Sequence, residues 1–152
     1  MSQRGGFYLV VDANVIGYTS ENPLDDRTFK ASQILCRILL AYHKIVLDYR
    51  QQNADSIMDE YERQVKKSQL ARFWLIAMQA KAADKIAYRH RAPVHLTALS
   101  DPDDEKYFQV AVNSPHKIII SEDSDFTNIA NHVQVLNLGI SIWEFDLALT
   151  QL

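Results

Sequence analysis

Three aspartates of this 152-residue chain stand where strands or helices should end or begin. Asp12 closes the apolar run Phe7 to Val11. Asp123 follows the run Ile118 to Ile120, with only Ser121 and Glu122 between. Asp104 opens a segment whose Tyr107, Phe108 and Ala111 recur at steps of three and four. Taken singly, each acid is as readily a helix cap or a solvated loop residue. Together at three element ends, they suit a shared task. Packed carboxylates disfavour one another's ionisation unless a cation neutralises them. Oxygen donors alone point to Mg²⁺ or Mn²⁺, which retain water and act on phosphates, whereas zinc would draw on His or Cys. None of the five histidines has ligand spacing.

Other chemistries find less support. There is no Ser-His-Asp order and no positioned Cys-His pair among the residues at the strand ends, so covalent catalysis lacks a nucleophile with its base. A haloacid-type phosphatase also opens with an aspartate after a strand. It needs a second aspartate where this chain has Asn14.

The elements that must position these acids can be read from hydrophobic periodicity. Phe7 to Val11, Ile45 to Leu47 and Ile118 to Ile120 read as buried strands, and Val133 to Leu138 as a last one. Between them, helical faces run over Thr28 to His43, around Ile57, Met58, Tyr61 and Val65, from Leu70 to Ala83, and from Asp103 to Asn113, where Ser114-Pro115 stops the pattern. Residues 84 to 99 are the least readable. Alternating strands and helices predict an α/β fold, a three-layer sandwich with a central parallel sheet of four to five strands and helices on both faces. In such sheets ligands bind beyond the carboxyl ends of the strands, where the acids fall. Length and the lack of repeats or Gly/Ser linkers predict a single domain over residues 1–152.

The net charge of −3 argues against a protein that coats nucleic acid by bulk electrostatics. The charges are unevenly spread. From Ser100 to Asp125 seven acids face two lysines, a balance of −5, whereas Lys81, Lys85, Arg89 and Arg91 outweigh Asp84 by +3. That basic segment could meet phosphates, with Tyr88 available for stacking, or form a solvated face or a dimer contact. Cys36, the single cysteine, sits in an apolar run and reads as a buried, inert thiol. The chain shows no secretory leader pattern and no apolar stretch of membrane-spanning length, so the reading is cytoplasmic, without a membrane.

The motifs Val-Val-Asp-Ala-Asn at Val10 to Asn14, Asp-Asp-Glu-Lys-Tyr-Phe-Gln-Val-Ala at Asp103 to Ala111, and Ile-Ser-Glu-Asp-Ser-Asp-Phe at Ile120 to Phe126 carry a resemblance to a known family. In order and spacing, over most of its length, the chain resembles the PIN-domain nucleases. That resemblance implies a PIN-like fold and a metal-dependent ribonuclease cutting single-stranded RNA. It assigns Asp12, Glu60, Asp104 and Asp123 to the catalytic acids, with Asp12, Asp104 and Asp123 on a Mg²⁺ or Mn²⁺ ion. Glu60 shares its helix with Asp59 and Glu62, so a neighbouring acid competes for that slot. Asn14, Asp103, Ser121 and Asp125 would support the acids from behind; Ser121 stands where the family often has threonine. Small members of the family serve as toxins held by an antitoxin, so the resemblance admits an antitoxin protein or a homodimer as partner. The alternative is a PIN scaffold that binds RNA or protein without cutting.

Overall fold

Five short runs rich in branched residues become strands: β1 (Tyr8–Val11), β2 (Lys44–Leu47), β3 (Ile86–Tyr88), β4 (Ile118–Ile120) and β5 (Ser141–Trp143). In the computed structural model, which describes residues 5–20, 22 and 24–152, they form one sheet in the order β3-β2-β1-β4-β5. Every pair is parallel. The central strands carry almost nothing but buried Leu, Val and Ile, as a sheet covered on both faces requires.

The helices are α1 (Ala13–Tyr18), α2 (Asp26–Leu40), α3 (Ile57–Val65), α4 (Gln69–Ala80), α5 (Ala82–Lys85), α6 (Glu105–Val112), α7 (Ser124–Thr127), α8 (Val133–Asn137) and α9 (Phe145–Gln151). Their starts are legible in side chains. Asp25 caps α2, Ser56 and Asp59 form a reciprocal capping box on α3, and Ser68 caps α4. Helices α1 to α4 pack on one another, with α9 returning onto α2, while α6 packs on β1, β2 and β4. This is the arrangement that right-handed crossovers impose when the chain winds outward through β2 and β3 and then returns to β4 on the other side of β1. The winding direction therefore reverses between β1 and β4. An open parallel sheet forms its ligand crevice at that reversal.

Three sequence readings are corrected. Val133 to Leu138 is helix α8, not a strand: His132 caps it, only Val135 among its apolar residues is buried, and Gly139 at φ +74° ends it. The last strand is the half-exposed edge β5, too short to show a pattern. The unreadable stretch 84 to 99 contains β3, which pairs with β2 through Ile86, Ala87 and Tyr88. Cys36 is exposed, on the outer side of α2. Among the described residues no helix is long and apolar enough to cross a membrane.

Candidate functional site

Asp12 and Asp123 flank the reversal point. The Asp12 backbone N–H donates to the Ile120 carbonyl at 3.0 Å, extending the β1–β4 pairing to the carboxylate itself. One Asp12 oxygen accepts the Asn14 N–H at 3.2 Å and so caps α1; the other accepts the Ser121 hydroxyl at 2.9 Å. Ser121 Oγ in turn accepts the Asp123 N–H, and the Asn14 amide donates to Asp123 Oδ2 at 2.9 Å. The second Asp123 oxygen caps α7 through the Asp125 N–H. Ser121 thus holds Asp12, while the Asn14 side chain holds Asp123 and only its backbone N–H meets Asp12.

Glu60 and Asp104 reach the same place from helices. The Tyr107 hydroxyl accepts the Ala13 N–H and donates to Glu60 Oε1, tying α1, α3 and α6 together. Lys106 Nζ donates to Glu60 Oε2 at 2.5 Å and to both the carbonyl and a carboxylate oxygen of Asp55. Asp104 ends a 3-10 turn, Pro102–Asp104, that Asp101 caps; its own side chain makes no capping bond to α6. Asp12, Glu60, Asp104 and Asp123 line one polar cavity of about 230 Å³, together with Asn14, Asp101, Asp103, Asp125 and Arg63.

Burial pushes the Asp12 carboxyl up to about 7, against the pull of its hydrogen bonds from Asn14 and Ser121, with the charges of Asp123 and Glu60 adding to the rise. Burial likewise raises Asp104 to about 7, helped by Asp12, Asp101, Asp123 and Asp125. Among the described residues no ion pair engages Asp12, Asp104 or Asp123, whereas Glu60 has Lys106. All-oxygen donors crowded with negative charge are what a hard divalent cation requires. On donor chemistry, Asp12, Asp104 and Asp123 fit Mg²⁺ or Mn²⁺. As they stand, however, no three or more His, Cys, Asp or Glu side chains among the described residues form a preformed metal-binding group.

A pH dependence follows. Both folded values lie above the unfolded value of 3.8, so the native state binds these protons more tightly. Their contribution to stability is fully present below about pH 4 and is lost as pH rises through about 7. Urea titrations with a chelator should give lower stability at pH 8 than at pH 5. Mn²⁺ should restore more of it at pH 8; equal effects at both pH values would contradict the assignment.

The basic quartet does not form one surface beside the acids. Lys81 and Lys85 precede β3, at the amino edge, opposite the cavity. Lys85 is buried, and its Nζ donates to the carbonyls of Ile38, Ala41 and His43 between α2 and β2. Arg89 lies over the Tyr8 ring. Arg91 alone comes near the site: it pairs with buried Asp48 at 2.7 Å and lines a neighbouring cavity that shares Asp103 with the acids. Lys85→Met should therefore destabilise the fold by about 2 kcal/mol, since buried carbonyls lose their donor, and leave RNA affinity unchanged. Weakened RNA binding in a variant of undiminished stability would reverse this reading.

Lys106, Tyr107 and Arg63 are the site residues that sequence reasoning missed. Lys106 and Tyr107 lie inside the quoted Asp103 to Ala111 motif, but their partner Glu60 is 46 residues away from Lys106. No family model, curated protein or solved structure matches this chain.

Proposed function

We propose that this chain is a metal-dependent ribonuclease of the PIN type, hydrolysing single-stranded RNA. The observation that carries the reading is the convergence of Asp12, Asp104, Asp123 and Glu60 on one cavity at the winding reversal of a parallel sheet. Asp12, Asp104 and Asp123 would hold Mg²⁺ or Mn²⁺. That ion, when bound, supplies an activated water and offsets charge on the scissile phosphate. Ser121 fixes Asp12, Asn14 fixes Asp123, and Tyr107 with Lys106 fixes Glu60 at the cavity wall. Arg63, on the same wall, is the cavity's one cationic lining residue among the described residues, and Asp55 already pairs with it at 2.7 Å, so an approaching phosphate would have to share its charge.

A second reading has one observation in its favour: the acids as they stand do not form a ready-made metal group. On that reading the chain is a scaffold that binds RNA or a protein partner, such as an antitoxin or a second copy, without cutting. Incubating the protein with single-stranded RNA in Mg²⁺ or Mn²⁺ separates the two. Cleavage that a chelator stops, leaving a phosphate on one product end, is expected. RNA that stays intact in both ions would leave the scaffold.

A further inference from the structure

Beyond β1, the same carboxyl edge carries side chains that the proposed hydrolysis does not use. Tyr49 follows β2 and Tyr88 ends β3; their rings stack 5.7 Å apart at 28°. Tyr49 also packs on the His90 ring at 4.6 Å. Tyr88 is 43% exposed, so the stack opens to solvent. The two tyrosines line a cavity of about 410 Å³ with Arg50, Gln51, Met58 and Gln79. That volume lies in the range of about 300–1,000 Å³ that takes small organic groups.

The lining chemistry is selective. Flat rings and a methionine offer apolar faces, and two amides offer donors and acceptors at the rim. Arg50 is already held by Asp59 and Glu62, so positive charge does not dominate. Such a cavity suits a planar heterocycle better than a bare phosphate or an aliphatic chain. Strands are spaced by ~4.8 Å, which sets the mouths of β2 and β3 roughly 5 and 10 Å along the edge from Asp12. A third cavity, of about 240 Å³, adjoins the acid site on the side of the aromatic cavity. It shares Asp103 with the acid site, and its Arg91 pairs with Asp48, which lines the aromatic cavity.

We propose that Tyr88, backed by Tyr49, presents a nucleobase-stacking face that holds a base of single-stranded RNA near the phosphate that would lie over the acids. This rests on the ribonuclease reading for the identity of the substrate. Stacking on the tyrosines, rather than recognition of base edges, makes the subsite tolerant of sequence.

The test uses the full chain carrying Asp12→Asn, to prevent cleavage, with Mn²⁺ and short single-stranded RNAs bearing 2-aminopurine at each position in turn. One position should be quenched on binding. Tyr88→Ala should remove that quenching and weaken binding about tenfold, or about 1.4 kcal/mol, and Tyr88→Phe should retain both. An abasic nucleotide at the quenched position should weaken binding to the Tyr88 protein and not to Tyr88→Ala. RNA binding with no quenched position, while the unsubstituted protein cleaves RNA, would overturn the subsite, spare the ribonuclease and leave the cavity to a protein partner. Quenching that depends on Tyr88, in a protein that never cleaves, would uphold the subsite and sink the hydrolysis. No RNA binding at all overturns both.

Discussion

Asp12→Asn should abolish divalent-ion-dependent RNA cleavage while making the metal-free protein more stable. The two effects share one cause. Asp12 is 3% exposed and ends a central strand, so its charge is expensive to bury and valuable to a bound cation. Its carboxyl moves from 3.8 to about 7, and each pKa unit corresponds to ~1.4 kcal/mol. Removing the charge should therefore stabilise the metal-free fold by about 2–4 kcal/mol at pH 8, by less at pH 5, and by almost nothing near pH 3. Asn keeps the local geometry, because it caps a helix as well as Asp does, and Ser121 Oγ can accept from the new amide. The cleavage rate should fall by about 10³-fold or more, the scale of ~4 kcal/mol of lost transition-state stabilisation. Chemical denaturation across pH, with the same protein assayed on RNA, checks both halves. A variant that is less stable than the parent at pH 8 would show that Asp12 serves the fold, and one that retains cleavage would remove it from the chemistry.

What could be read from sequence tracks how local the physics is. β4 is read residue for residue because Ile118 to Ile120 is buried on both faces and needs no context. Asp12 and Asp123 are found because one directly follows such a run and the other comes three residues after one, and the helix that carries Glu60 is found from its apolar face. The edge of the sheet is another matter. β3 and β5 have only three residues each, partly exposed, and owe their existence to the neighbours they pair with. The misreading of α8 has a similar origin: Val-Gln-Val-Leu-Asn-Leu alternates like a strand, and Gly139 was the local signal that a helix ends there. The charge of a segment was the poorest guide. Lys81, Lys85, Arg89 and Arg91 are close in the chain, but they straddle a strand that carries them from one end of the sheet to the other, and Lys85 spends its charge on buried carbonyls. Residues that support Glu60 could not be found at all by spacing, since they meet it only through side chains that reach from α6 to α3.

The largest destabilisation should come from one of those missed residues. Lys106 is 5% exposed, and its three hydrogen bonds go to Glu60 and Asp55. Lys106→Met preserves length and bulk but leaves the Glu60 carboxylate beside Asp12 without its cation. Breaking a buried pair from one side costs about 3–5 kcal/mol, because the remaining charge stays desolvated. Glu60 is 18% and Asp55 45% exposed, and Arg63 lies 3.9 Å from Glu60, so solvent and Arg63 recover part of this and a loss of about 2–4 kcal/mol is expected. The double variant Lys106→Met with Glu60→Gln should regain much of the loss, since the neutral amide oxygen still accepts from Tyr107 and no charge is stranded. A double-mutant cycle measured by urea unfolding should then give a coupling of about 2 kcal/mol. Divalent ions supply a sharper reading. If Lys106 occupies the position of a counter-charge for Glu60, its removal adds one free carboxylate to the acid cavity, and Mn²⁺ should stabilise Lys106→Met more than it stabilises the parent protein. If instead Lys106 matters only as a tie to Asp55, the coupling to Glu60 vanishes and Mn²⁺ raises the stability of both proteins equally.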